Sequence, residues 1–269
     1  MTALSVENLY KRYPNGTEAL KNVSFAVEQG EFVILLGPNG SGKSTLFRAI
    51  VALETATKGS IRVDGVEITT AGNTALREVR KKVGLVFQKF NLIKNLTVFH
   101  NVLIGAMGKN HSPLSWFPAS APQNIRLKVL ECLERVKLSH LIQQRVDTLS
   151  GGQTQRVAIA RMLMQEPEFI LADEPVASLD PKSGDDVMSL LAEIAAEKKI
   201  TVICTLHQID FALKYGKRII GLRGGQIVID DKVENINSQM LNVLYDSELD
   251  RNRVDQDELT GFAKSAVGA

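Results

Sequence analysis

The sequence places a glycine-rich loop between an apolar strand and a helix. Residues 32–36, F-V-I-L-L, are apolar throughout, which indicates a strand buried on both faces. The segment S-T-L-F-R-A-I-V-A-L, which starts at residue 44, predicts a helix. The loop between them matches G-x-x-x-x-G-K-[ST], with residues Gly37, Pro38, Asn39, Gly40, Ser41, Gly42, Lys43 and Ser44. This order of elements predicts an α/β fold with a parallel sheet.

Each residue type in the loop pattern has a chemical reason. Glycines let the backbone curl until its N–H groups face phosphate oxygens, Lys43 neutralises the outer phosphates, and the Ser44 hydroxyl is a ligand for Mg²⁺. The alternative is a glycine-rich turn with a chance lysine. Because the loop lies between a strand and a helix, we favour a site for a nucleotide with Mg²⁺.

Two adjacent carboxylates follow a second apolar strand, F-I-L-A at residues 169–172. Asp173 is the candidate Mg²⁺ ligand, and Glu174 is the candidate base that polarises a water for attack on the γ-phosphate. A solvated strand end is the commoner explanation of an Asp-Glu pair. Because the chain also contains the phosphate loop, we favour the Mg²⁺ ligand and base over a solvated strand end.

Three further residues fit the same site. Gln88, after G-L-V-F, reaches either Mg²⁺ or the attacking water in this interpretation, and His207, after V-I-C-T-L, hydrogen-bonds the γ-phosphate. Tyr13, just before P-N-G, is a candidate for stacking on adenine. The alternatives are an ordinary loop glutamine, a satisfied histidine near the core, and a tyrosine that only packs.

A second helix start also has the features of an anion site. Ser150, Gly151 and Gly152 precede the apolar pattern Val157, Ile159, Ala160, Leu163. The first N–H groups of a helix lack partners within the helix and favour an anion. The alternative is a glycine-broken helix start without a ligand.

These motifs together resemble those of ATP-binding-cassette (ABC) ATPases. The resemblance covers about residues 1–230 and rests on a set of segments in family order: 37–45, which ends in Thr45, Gln88, Leu149 to Gln153, Asp173-Glu174, Ser178-Leu179-Asp180, and His207. It implies a P-loop NTPase (RecA-like) core with an N-terminal antiparallel β subdomain and an inserted α-helical subdomain at about 91–165. Residues 231–269, which are polar and acidic at first, are predicted to be a C-terminal tail, partly helical or disordered.

The resemblance also implies a homodimer. Ser150, Gly151, Gly152 and Gln153 then belong to a signature motif that contacts ATP bound by the other subunit, and Asp180 is a further residue that the resemblance implies at a nucleotide. Two chains clasp two nucleotides head to tail. This explains why one chain needs two phosphate-binding helix starts.

Net charge, the length of apolar runs and the lack of heptad repeats narrow the class of function further. A formal net charge of +2 provides no strong field for nucleic acid, so no nucleic-acid partner is expected. No run approaches the ~18 apolar residues that a membrane span requires, so we expect a soluble chain whose integral-membrane permease is a separate protein. The single cassette without sustained heptads favours an importer ATPase over DNA-repair or ribosome-acting relatives.

Within the family, the segments I-L-A-D-E-P-V-A-S-L-D-P-K-S and T-L-H-Q-I-D-F-A resemble the ATP-binding subunit of bacterial phosphonate importers. This implies a peripheral protein on the cytoplasmic face of the inner (plasma) membrane. A periplasmic substrate-binding protein is then an indirect partner. The alternatives are an importer ATPase for phosphite, phosphate or another small solute, or a soluble ABC ATPase without a transport role.

Overall fold

The computed structural model describes residues 1–108, 118 and 120–245. Its strands are β1 Thr2–Arg12, β2 Glu18–Glu28, β3 Phe32–Leu36, β4 Lys58–Val63, β5 Val66–Glu67, β6 Val83–Phe87, β7 Phe169–Asp173, β8 Thr201–Leu206, β9 Arg218–Arg223 and β10 Gln226–Lys232. Its α-helices are α1 Lys43–Ile50, α2 Asn73–Lys82, α3 Val98–Ile104, α4 Gln123–Arg135, α5 Gly151–Leu163, α6 Pro181–Lys198 and α7 Ile209–Tyr215. The predicted α/β class is confirmed.

Two sheets organise the described residues. The first is antiparallel, with the order β2-β1-β4-β5. The second has the order β10-β9-β3-β8-β7-β6, in which β10 is antiparallel to β9 and the other neighbours are parallel. The antiparallel sheet is formed near the N-terminus, as the resemblance implies, and the parallel strands form the core.

Both faces of the parallel sheet are buried, which explains why β3 is apolar at every position. Ile34 and Leu36 belong to the core that α3, α4, α5 and α6 cover. Val33 and Leu35 belong to the core that α1 and the antiparallel sheet cover. Because side chains alternate along a strand, a strand between two such layers needs an unbroken apolar run.

Helices dominate the chain between β6 and β7. There α3, α4 and α5 pack on one another through buried residues such as Val102, Leu133 and Ile159. This is where the helical insertion at about 91–165 is predicted; residues 109–117 and 119 of that range lie outside the described residues. The limits of the insertion stay a prediction.

The predicted tail begins inside a strand, since β10 runs to Lys232. A 3₁₀ turn follows at Val233–Asn235, residues 238–245 are helical, and Leu244 is fully buried against the main core. Residues 246–269 of the predicted tail lie outside the described residues. Across the described part of the chain, no helix combines the length and the apolar character needed to cross a bilayer.

Candidate active site

The candidate site lies at the carboxyl edge of the parallel sheet. The strand register pairs Leu36 of β3 with Leu206 of β8, and Asp173 of β7 with both Thr205 of β8 and Phe87 of β6. The residues that follow these strands therefore emerge at one edge, where ligands bind in open α/β sheets. The sheet brings together the phosphate loop, Gln88, Glu174 and His207.

Glycine is required at two positions of the loop. Gly37 has φ +154°, and a Cβ there would lie 2.2 Å from the carbonyl oxygen of Leu222. Gly42 has φ +109°, and a Cβ there would lie 2.5 Å from the carbonyl oxygen of Ala19. The left-handed backbone and the close approach of other strands both exclude a side chain. Together they fix the curl of the loop ahead of α1, which starts at Lys43.

Lys43 points back into the loop that precedes it. Its Nζ donates hydrogen bonds to the carbonyl oxygens of Gly37, at 2.6 Å, and Pro38, at 3.0 Å, and the residue is only 5% exposed. Ser41 Oγ is buried beside it without a hydrogen-bond partner among the described residues. A cation, an orphaned hydroxyl and the free N–H groups of a helix start are the donors that a phosphate chain requires.

Tyr13 lies next to the first turn of α1. Its hydroxyl is 3.3 Å from Oγ1 of Thr45, and the Nζ of Lys11 lies 5.0 Å from the centre of its ring. Lys11 is held in turn by an ion pair with Glu54 at 2.6 Å. The half-buried ring is thus fixed close to the phosphate loop, and its stacking on adenine stays a prediction.

Asp173 and Glu174 are oriented by a residue of the neighbouring strand. The hydroxyl of Thr205 donates to Oδ1 of Asp173 at 2.8 Å, and the backbone N–H of Glu174 donates to the same hydroxyl at 2.9 Å. Glu174 has φ +46°, in the left-handed region. Such a backbone costs about 1–3 kcal/mol in a residue other than glycine and persists only where neighbouring contacts hold it.

The carboxylate of Glu174 faces His207 across an open cleft. Glu174 Oε2 lies 3.8 Å from Nδ1 of His207; the histidine side chain is 42% exposed and the glutamate side chain 18%. The cleft has a volume of about 530 Å³ and is lined by Pro38, Asn39, Gln88, Glu174, Ala177, His207 and Tyr245. It has room for a terminal phosphate and an attacking water beside the loop.

Gln88 begins a loop that is tied to helix α5. The guanidinium of Arg161 donates to the carbonyl oxygens of Asn91, at 2.6 Å, and Phe90, at 3.1 Å, and both of these residues have positive φ. Burial lowers the pKa of Arg161 from its ordinary value. The tether links the exposed Gln88 to the helix that begins at the second glycine motif.

That second motif lies apart from the cleft. Ser150 Oγ accepts from the N–H of Gln153 at 3.3 Å, and the Gln153 side chain accepts from the N–H of Ser150 at 2.9 Å, which forms a capping box at the start of α5. Gly151 is exposed, whereas Gly152 is buried against Ser183 of α6. Within one chain, Ser150 to Gln153 are not among the residues that line the cleft.

Asp180 is the N-cap of α6. Its carboxylate accepts from the backbone N–H of Ser183 at 3.0 Å, and hydrogen bonding to Ser183 lowers its pKa from the ordinary value. The carboxylate therefore has a structural partner, and a direct role at a nucleotide stays a prediction.

The donor set at the sheet edge fits Mg²⁺. Ser44, Gln88 and Asp173 offer hydroxyl, amide and carboxylate oxygens, and Mg²⁺ prefers oxygen ligands from one or two carboxylates together with substrate phosphates. Among the described residues no group of three His, Cys, Asp or Glu side chains could hold a metal alone. The chemistry therefore fits a metal that binds together with phosphate.

Three residues of the site were missed by sequence reasoning. Thr205 gave one signal, a hydroxyl inside the apolar run V-I-C-T-L of residues 202–206. Arg161 is unremarkable in a helix with other basic residues. Tyr245, which lines the cleft and whose hydroxyl lies 3.4 Å from the carbonyl oxygen of His207, falls in the segment predicted to be a tail.

Known proteins resemble the chain over most of its length. The family model described as ABC transporter matches residues 20–177. The protein named Phosphonates import ATP-binding protein PhnC from Frankia casuarinae is 48% identical over 239 residues, which cover 89% of this chain and 94% of that protein. The protein of the same name from Thiobacillus denitrificans is 44% identical over 248 residues, 92% of this chain and 94% of that one.

Solved structures show the same architecture. The ATP-binding cassette MJ0796, in a dimeric post-hydrolysis state bound to ADP and Pi, superposes with a TM-score of 0.76 at 36% identity and covers 87% of this chain and 100% of that one. The structure of cbiO1 from Clostridium perfringens, part of the ABC transporter complex cbiONQ, gives a TM-score of 0.78 at 30% identity, with 95% and 99% covered.

Proposed function

This chain belongs to the ABC transporter family of ATP-binding cassettes, and on that basis we propose that it is the ATP-hydrolysing subunit of a bacterial importer that carries phosphonates. The relatives that bear the name of phosphonate import proteins support this cargo. ATP binding closes a head-to-tail dimer, and hydrolysis reopens it to drive a separate permease. The observation that carries the proposal is the cleft in which Glu174 and His207 face each other beside the phosphate loop.

The residues of the cleft have distinct roles in this proposal. The phosphates of ATP lie in the loop 37–45, where Lys43 exchanges its bonds to Gly37 and Pro38 for bonds to phosphate oxygens. Glu174 accepts a proton from the attacking water, and His207 hydrogen-bonds the γ-phosphate. Ser44, Asp173 and Gln88 would hold Mg²⁺, which would supply positive charge beside the phosphates.

The second helix start completes the site in trans. Ser150 to Gln153 are not among the residues that line the cleft of their own chain, which supports a contact with nucleotide bound by a partner subunit. The known dimer of a related cassette supports this arrangement. The same operation on both subunits gives two equivalent nucleotide sites, as in other isologous dimers.

The proposed partners are integral-membrane permease subunits and, indirectly, a periplasmic substrate-binding protein. The chain then lies on the cytoplasmic face of the inner membrane as a peripheral subunit. The loop from Gln88 to about residue 97, tied to α5 through Arg161, is the proposed link between the nucleotide and the permease.

Transport by the assembled complex tests this function. Proteoliposomes are prepared with this chain, the permease encoded beside its gene and the matching binding protein. They should take up 2-aminoethylphosphonate only when ATP is present on the side of the membrane that carries this chain. Methylphosphonate, phosphite and phosphate are the competitors. Exclusive uptake of phosphate, or of an amino acid, would overturn the phosphonate assignment, and the lack of any neighbouring permease gene would favour a soluble ATPase.

A further inference from the structure

Thr205 occupies a position where a purely apolar residue would serve the core. It is the fifth residue of β8, is 0% exposed, and is surrounded along the strand by the buried residues Val202, Ile203, Cys204 and Leu206. The other residues that follow Thr201 in this strand are apolar, as a sheet covered on both faces requires. A buried hydroxyl at this point therefore needs partners of its own.

Its partners are the two adjacent carboxylate residues of the next strand. Asp173 is the register partner of Thr205 across the parallel pair. The Thr205 hydroxyl donates to Asp173 Oδ1 at 2.8 Å and accepts from the N–H of Glu174 at 2.9 Å, and the Thr205 carbonyl oxygen accepts from the same N–H at 3.2 Å. One residue thus contacts the side chain of Asp173 and the backbone of Glu174.

These contacts act at the residue where the backbone leaves the strand conformation of β7. At Glu174 the backbone enters the left-handed region, with φ +46°, and two acceptors of Thr205 hold its N–H there. The two consecutive carboxylates have different partners, because Asp173 accepts from Thr205 while Glu174 faces His207. Because the Thr205 hydroxyl donates its one hydrogen to Asp173, its oxygen is left to accept from the N–H of Glu174.

We propose that Thr205 is a positioning residue that sets the rotamer of Asp173 toward Mg²⁺ and holds the backbone of Glu174 for its role as the base. The inference rests on the proposed ATP-hydrolysing function. Groups that orient metal ligands through hydrogen bonds commonly change metal affinity or activity about 10- to 100-fold when they are lost. Thr205 touches neither the nucleotide nor the metal in this scheme.

The same strand provides a matched control. Thr201 is also in β8, is 2% exposed, and uses its hydroxyl to accept from the N–H of Gly30 at 3.0 Å. It lies at the opposite edge of the sheet from the cleft. Thr205→Val and Thr201→Val therefore remove the same group from the same buried strand, and only the first removes it from the carboxylates.

The experiment compares Thr205→Val, Thr205→Ser and Thr201→Val in the full chain. We expect Thr205→Val to lower kcat about tenfold or more and to raise the Mg²⁺ concentration that gives half-maximal rate. Thr205→Ser keeps the hydroxyl and should retain the parental Mg²⁺ dependence. Thr201→Val should retain both kcat and the Mg²⁺ dependence, whatever its melting temperature.

A binding measurement keeps the test independent of turnover. The affinity for a fluorescent ATP analogue is measured with Mg²⁺ and with EDTA, and Thr205→Val should lose most of the difference while its affinity in EDTA stays parental. A parental Mg²⁺ effect in Thr205→Val, or an equal loss in Thr201→Val, would overturn the proposal. Failure of phosphonate uptake with intact ATP hydrolysis would overturn the transport function. The effects of Thr205→Val and Thr201→Val on the Mg²⁺ dependence of nucleotide binding would be the same in that case.

Discussion

Glu174 Oε2 and His207 Nδ1 lie 3.8 Å apart across the cleft, beyond hydrogen-bond distance and close enough to act on one phosphate. Glu174→Gln keeps the shape of the side chain and removes the base. Loss of a general base typically costs ~10²–10⁴-fold in rate, so steady-state ATP hydrolysis should fall by that range. An enzyme-coupled phosphate-release assay measures it.

The same variant should trap the dimer. Phosphate contacts remain in Glu174→Gln, and ATP stabilises the closed dimer because it binds that form preferentially. Size-exclusion chromatography with light scattering should show a dimer with Mg-ATP and a monomer without nucleotide. A variant that hydrolyses ATP at the parental rate in the assembled transporter would contradict the assignment of Glu174.

Lys43→Ala should weaken nucleotide binding. The substitution removes the buried ammonium, which bonds to the carbonyl oxygens of Gly37 and Pro38 in the free protein and, in the proposed complex, to phosphate. A hydrogen bond to a charged group contributes about 1.5–3 kcal/mol, which corresponds to a loss of about 10- to 100-fold in affinity for Mg-ATP. Equilibrium titration with a fluorescent ATP analogue checks this, and Lys58→Ala, at an exposed position of β4, is the control that should bind normally.

Ser150→Arg should prevent closure of the dimer while one chain still binds nucleotide. The substitution adds a long side chain at the exposed start of α5, away from the cleft of its own subunit. Introduced into Glu174→Gln, it should abolish the ATP-dependent dimer in light scattering. Ser150→Ala removes the cap, at a cost of about 1 kcal/mol of stability, without the bulk; equal dimerisation of the arginine and alanine variants would contradict a phosphate site at this helix start.

Gln88→Ala should uncouple hydrolysis from transport. Gln88 lines the cleft, and the loop that follows is tied to α5 through Arg161. We expect ATP-driven uptake in proteoliposomes, and the stimulation of hydrolysis by the permease, to fall more than the basal ATPase rate. Gln29→Ala, an exposed glutamine between β2 and β3, is the control. Unchanged uptake by Gln88→Ala would show that this residue has no role in coupling.

The two cysteines should resist alkylation in the native protein. Burial raises the pKa of Cys132 to about 11 and also raises the pKa of the fully buried Cys204. Because the raised pKa keeps the thiol protonated, about one Cys132 in 10³ is a thiolate at pH 8, and that fraction grows about tenfold per pH unit toward pH 11. Ellman's reagent at pH 8 should label two thiols quickly in urea and almost none without it.

The phosphate loop and the strand-end carboxylates were predictable because their chemistry forces a local pattern. Strand β3 needs apolar residues on both faces, and the loop needs glycine where Leu222 and Ala19 approach. Helix α2 was not predicted, since Val79 is its only buried residue, and Leu76 and Val79 are too few large apolar residues to establish a helical period in a short polar segment. Contacts such as that of Tyr245 with the cleft depend on how distant segments pack, which no local pattern encodes.

The self-capped start of α5 affects the rate at which two chains would associate into the proposed dimer. Ser150 and Gln153 already satisfy each other's N–H groups in the separate chain, so the motif is rigid before a partner arrives. The conformational entropy of ordering it is lost during folding and does not oppose association. Closure should then behave as the encounter of two preformed surfaces, with a rate governed by diffusion and mutual orientation.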